Sequence, residues 1–201
     1  KKLAAAAEGP DQAAVRVELA TVWRERLDDP EAALKHLESA YEADPESRDA
    51  LLPLADHYMA VEDWTKAMPL LDLLVESLQG EEDRENLALA YRRLGRCSEA
   101  LYDLDRALDA FEHAAELVTP DVETLDGLAR LHFRRENYAA AETYLQRIVE
   151  DHADELTPET FVEVSMRLGE SAWNVGDATR AHGYLERVIE AQPDNANAIE
   201  K

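Results

Sequence analysis

Five alanines set the frame of this chain: Ala33, Ala67, Ala107, Ala141 and Ala181, spaced by 34, 40, 34 and 40 residues. Four residues after each stands a large apolar side chain: Leu37, Leu71, Phe111, Leu145 and Leu185. Seven after each stands another apolar residue: Ala40, Leu74, Ala114, Ile148 and Val188. An i, i+4, i+7 set is one face of an α-helix. Four residues before each alanine comes Asp29, Asp63, Asp103, Asn137 or Asp177. Such side chains cap helices by accepting a hydrogen bond from an orphan N–H of the first turn. Pro30 suits the first helical position, where the missing N–H costs nothing. Five caps in register with five stripes predict five helices in a stacked repeat, not a single irregular core.

A second helix precedes each cap. Its mark is a leucine followed by a small residue: Leu19-Ala20, Leu54-Ala55, Leu94-Gly95, Leu128-Ala129 and Leu168-Gly169. The small residue lets two helices approach closely. Aromatic residues follow in Trp23, Tyr58, Phe133 and Trp173, and short polar turns such as "AVEDW" and "RRENY" separate the helices. Each unit is therefore predicted to be an antiparallel hairpin of helices of roughly 12–17 residues. No strand is expected in Asp11–Gln192.

The combination resembles the tetratricopeptide repeat (TPR) family. "LADHYMAVEDWTKAMPLL" carries its signature as Leu54, Ala55, Tyr58, Trp64, Ala67 and Leu71, while Pro45 and Pro193 supply the terminal proline. The resemblance implies an all-α fold, a right-handed α-α superhelix of stacked helical hairpins. It spans residues 1–201 as a single array, with units near 13–47, 48–87, 88–121, 122–161 and 162–195 and a partial unit at 196–201. "KKLAAAA" reads as the tail of an earlier unit. The second and fourth units lack the terminal proline, which gives the two 40-residue spacings. Gly80 and Pro158 point to looped junctions there. Pro53 and Pro69 lie inside helical patterns and are expected to kink or loosen them, making the second unit the least regular.

Composition narrows the functions. Hydrophobic residues make up 46% of the chain, yet no apolar run approaches the roughly 18 residues that a spanning helix needs. No membrane insertion is expected. The start is a poor signal peptide, and without an initiating Met the chain reads as a fragment or processed form. A cytoplasmic location is expected, with the periplasm as the other compartment. Arg- and Ala-rich, Lys-poor usage is compatible with a bacterial protein. With 21 Lys and Arg against 44 Asp and Glu, the net charge is -23. Such a chain repels nucleic-acid phosphates and anionic headgroups. The lone Cys97 leaves no internal disulfide or cysteine zinc site and falls on an apolar stripe, so it should be buried. Trp23, Trp64 and Trp173 are expected in the core. The six histidines include no His-x-x-x-His pair, and the acidic cluster Asp151–Glu155 reads as a solvated junction. No nucleophile, cofactor or metal constellation is visible, so no enzyme is expected.

In the TPR family the first helix of each unit lines a concave groove. Arg92 and Arg96 are i, i+4, and Arg130 and Arg134 repeat the arrangement one unit later. By family register these residues face the groove, with Arg93 and Arg167 in a shared flanking register. Arginine's planar fork suits carboxylates, so the expected ligand is an acidic partner segment, with Phe133 as apolar contact. The competing reading pairs the arginines with local acids such as Glu99, Asp126 or Glu170. The family's Lys-Asn-Asn-Lys-Arg carboxylate clamp is absent: its positions include Val17, Thr21, Pro53 and Leu89. The function expected is a protein-interaction scaffold that binds a peptide or protein segment in the groove. The alternatives are a homotypic assembly module with weak self-association, and the non-catalytic arm of a larger enzyme or sensor.

Overall fold

A computed structural model of the chain describes residues 9–80 and 83–191. Ten α-helices and one short 3-10 turn, Ala153–Glu155, are the regular elements among the described residues. They alternate as first and second helices of five hairpins: α1 Pro10–Glu25 and α2 Pro30–Ala43; α3 Arg48–Ala60 and α4 Trp64–Leu78; α5 Arg84–Ala100 and α6 Leu104–Leu117; α7 Val122–Arg134 and α8 Tyr138–Asp151; α9 Pro158–Val175 and α10 Ala178–Ala191.

Every residue of the five apolar stripes is buried, from Ala33 through Val188. The caps explain where the second helices begin. Asp29 accepts from the N–H of Ala32 at 2.9 Å, Asp63 from Lys66 at 3.3 Å, Asp103 from Arg106 at 3.2 Å and Asp177 from Arg180 at 3.0 Å. Asn137 occupies the fifth cap position but makes no side-chain cap bond. Its amide lies 3.4 Å from His132 Nδ1 instead. First helices also have caps that the spacing did not predict: Asp83 on α5, Asp121 on α7 and Thr157 on α9.

The long spacings have a simple structural meaning. α5 starts 23 residues before Ala107 and α9 starts 23 before Ala181, against 19 for α3 before Ala67 and for α7 before Ala141. Four of the six extra residues thus add one turn to the front of a first helix, and the rest stay in the junction. Pro53 and Pro69 each sit inside a helix that runs on through them.

The chain divides into two compact units, Lys1–Ala107 and Leu108–Lys201. In the first, Ala13, Ala40 and Ala50 meet in one cluster with Val17 and Ala43 against it. These small side chains bring α1, α2 and α3 together. The Tyr58 hydroxyl donates to Glu38 at 2.9 Å; burial and that carboxylate push the phenol up to about 12. Cys97 is buried as expected, and its thiol donates to the Trp64 carbonyl at 3.3 Å. Burial pushes the thiol up to about 11. At pH 8 it is therefore protonated as well as covered, and thiolate is the reactive form. Reaction with a thiol-specific disulfide reagent is expected to wait for unfolding. A burst of labelling in native buffer would show that Cys97 is accessible.

In the second unit, Leu125, Ala129, Leu145, Ile148, Val164 and Leu168 make one cluster between α7, α8 and α9. Gly169 lies against Leu185: a Cβ there would stand 3.1 Å from the leucine side chain. Gly127 is tighter still, since a Cβ there would meet the Phe111 ring at 2.7 Å. Glu142 is buried and ion-paired to Arg180 at 3.0 Å, with the Tyr184 hydroxyl donating to it at 3.4 Å. His152 is no free member of an acidic cluster. Its Nδ1 lies 2.8 Å from Glu155 and its Nε2 3.1 Å from the Pro120 carbonyl, so it ties the junction down.

The tryptophans depart from expectation: Trp23 and Trp64 are only half-buried, and Trp173 is 64% exposed rather than in the core. For Trp173 the reason is local. In the preceding hairpin, Phe133 packs edge-on against Tyr138, with ring centroids 5.1 Å apart. Forty residues on, Trp173 takes the place of Phe133, but Ala178 takes that of Tyr138. The indole therefore has no ring to lie on.

Candidate interaction surfaces

First helices lie next to one another within each unit, and crevices open between them. In the first unit the α1–α3 crevice, of about 200 Å³, is lined by Val17, Thr21, Asp49 and Pro53. The α3–α5 crevice, of about 350 Å³, is lined by Arg48, Asp49, Leu52, Leu89 and Arg93. In the second unit the α7–α9 crevice, also about 350 Å³, is lined by Glu123, Asp126, Thr160, Glu163 and Arg167. A larger cavity of about 560 Å³ opens between α9 and α10, lined by Glu170, Trp173, Asn174 and His182.

Among the arginines that line these crevices are Arg93 and Arg167, the two in the flanking register. Each reaches back to the preceding first helix. Arg93 forms a fork with Asp56, its Nε 2.7 Å and an Nη 3.1 Å from the carboxylate. Arg167 pairs with Asp126, which also holds Arg130 on its own helix. A further guanidinium nitrogen of Arg167, Nη2, is buried without a hydrogen-bond partner among the described residues. Sequence register aligned these arginines with one another and named Asp126 among the local acids, but not Asp56. Asp56 lies 11 residues before Ala67, whereas Asp126 lies 15 before Ala141.

The remaining candidates are placed as follows. In the first unit, Arg92 is half-buried and Arg96 exposed on α5. In the second, Arg130 is half-buried and Arg134 exposed on α7, and Phe133 is half-buried against Tyr138. The pairing of Arg130 with Asp126 is one that the local-acid reading named. Among the described residues, no group of three or more His, Cys, Asp or Glu is placed to hold a metal ion. No helix of the described residues is long and apolar enough to cross a membrane.

Two of the clefts, α3–α5 and α7–α9, hold an arginine paired with an acid of the preceding first helix.

Comparison with known proteins agrees with this reading of the fold. Two tetratricopeptide-repeat family models match, one over residues 26–94 and the other over residues 85–155 and 166–198. No curated protein matches. Among solved structures, a MamA protein is 18% identical, with a TM-score of 0.74 over 92% of this chain and 93% of its own. YrrB, described as a TPR protein with an unusual peptide-binding site, is 18% identical, with a TM-score of 0.74 over 94% of this chain and 90% of its own. MamA from Desulfovibrio magneticus RS-1 is 19% identical, with a TM-score of 0.68 over 94% of this chain and 99% of its own. At these identities the likeness is one of fold.

Proposed function

The chain belongs to the tetratricopeptide repeat family, and from that premise we propose that it is a non-catalytic scaffold whose first helices receive a segment of a partner protein. The observation that carries this reading is the crevice between successive first helices, found in both units and lined in each by an arginine and carboxylates. The peptide-binding description of YrrB supports it by analogy.

The partner segment is acidic in this reading. Arg92 and Arg96 in the first unit, and Arg130 and Arg134 in the second, meet its carboxylates, and Phe133 gives apolar contact. In a chain at -23, local positive charge steers an acidic ligand. Each half-exposed contact is worth about 0.2–1 kcal/mol, so several must act together.

The test is affinity capture with mass spectrometry, run in parallel with the Arg92→Ala, Arg96→Ala, Arg130→Ala, Arg134→Ala quadruple variant. Wild type is expected to retain a partner in a salt-dependent way. The variant should lose it while keeping its helical circular dichroism. Equal capture by a folded variant would remove the arginines from the site, and an unfolded variant would make them structural.

A further inference from the structure

The turns between first and second helices follow one pattern. The residue just before each cap is left-handed: Asp28, Glu62, Tyr102, Glu136 and Gly176, with φ of 51, 59, 62, 59 and 93°. Only the last is glycine, the residue that adopts this conformation without steric cost. The residue before that is an exposed apolar side chain at four of the five tips: Leu27, Val61, Leu101 and Val175. The fourth tip has Arg135 in that place. The uninterrupted run is thus in the first unit, where stacking of α1, α3 and α5 puts the three tips on one edge.

Tyr102 stands out among them. A bulky side chain at positive φ is an outlier, yet this one is 84% exposed. Its ring and hydroxyl make no hydrogen bond or ring contact among the described residues, so packing does not account for it. The turn sets this backbone conformation in every hairpin, so what is particular to Tyr102 is a bulky, exposed aromatic ring held there. Acids outnumber bases at these tips, although Arg26 precedes Leu27 and Lys66 pairs with Asp63 at 3.1 Å. The tripeptides Leu27-Asp28-Asp29, Val61-Glu62-Asp63 and Leu101-Tyr102-Asp103 carry five carboxylates and no basic residue.

We propose that the hairpin tips of the first unit form a second interaction surface, in which Leu27, Val61, Leu101 and Tyr102 anchor a basic amphipathic segment of a partner protein. The apolar row takes the partner's apolar face, with Tyr102 as the aromatic anchor that interfaces favour. The tip carboxylates take its lysines or arginines. This surface is separate from the crevices between first helices, and its ligand has the opposite charge.

The probe is a synthetic helix-forming peptide with leucine and tyrosine on one face and lysine on the other, beside a counterpart with glutamate for lysine. Binding is read by fluorescence anisotropy on the full chain. Wild type is expected to bind the lysine peptide and not the glutamate one. The Leu27→Ser, Val61→Ser, Tyr102→Gly triple variant should bind about tenfold more weakly. Tyr102→Gly alone should weaken binding severalfold while raising Tm by about 2–4 °C, because glycine relieves the left-handed turn. A structural tyrosine would do the reverse, and a fall in Tm overturns the proposal. So does equal binding by the triple variant, which would mean general attraction to an acidic chain. The arginine quadruple variant should bind the lysine peptide as wild type does, which keeps this test apart from that of the groove. If wild type self-associates on sedimentation and the triple variant does not, the occupant is a second copy of the chain and the partner proposed here is wrong.

Discussion

Phe111→Ala is expected to cost the second unit about 3–5 kcal/mol, the range for removing a fully buried aromatic side chain. Phe111 is wholly buried, and its ring fills the space that Gly127 leaves empty on α7. The same contact predicts a second, smaller loss. Alanine is the better helix former by about 1 kcal/mol, so on propensity alone Gly127→Ala should stabilise α7. Its Cβ, however, would lie 2.7, 2.8 and 2.9 Å from three atoms of the Phe111 ring. The ring is enclosed and cannot swing aside, and overpacking of this sort costs about 1–3 kcal/mol. A net loss is expected. Phe111→Leu combined with Gly127→Ala should then lose less than the two single changes add up to, since the smaller side chain makes room. Urea unfolding followed by circular dichroism, with hydrogen exchange across α6 to α8, reads all three. A stabilised Gly127→Ala protein with Phe111 intact would show that the contact is slack.

That contact marks where the sequence was legible and where it was not. A helical stripe needs only a period, so the buried faces from Ala33 to Val188 could be read directly. Caps are local too, and Asp29, Asp63, Asp103 and Asp177 bond as their positions predict. Asn137 fails because its amide meets His132 from the preceding helix, a contact that the cap position does not encode. Close approach was sought at Leu128-Ala129, yet the Phe111 ring presses on Gly127, next to that pair. The contact depends on Phe111 of another helix, and no single-helix pattern reports that. The five left-handed turns went unseen for a related reason: glycine is their usual signal, and only Gly176 supplies it. Trp173 was placed by its register, but its burial needed a ring that Ala178 does not have. The arginines are the clearest case. Their register was legible, but their acids lie on the preceding first helix at two different offsets. Arg93 and Arg167 reach their crevices through pairs that cross from one first helix to the next.

If the proposed acidic segment binds at Arg130, removal of Asp126 is expected to move stability and binding in opposite directions. Its carboxylate holds Arg130 on α7 and Arg167 on α9. The side chains of Arg167 and Asp126 are only 19% and 27% exposed. Breaking a fully buried ion pair costs about 3–5 kcal/mol, so a partly wetted one should cost about 2 kcal/mol. Asp126→Ala is therefore expected to lower the urea midpoint. Asp126→Asn, which keeps the volume and one acceptor oxygen, should lose less. If Arg130 receives a partner's carboxylate, Asp126 is that carboxylate's competitor in the free protein. Its removal should then strengthen binding of a short glutamate-rich peptide by about two- to fivefold, the worth of one more half-exposed charged contact. The gain should vanish in Asp126→Ala, Arg130→Ala. A less stable protein with unchanged or weaker peptide binding would show that Arg130 and Arg167 serve the α7–α9 packing alone, and the acidic-segment reading of the second unit would fall with it.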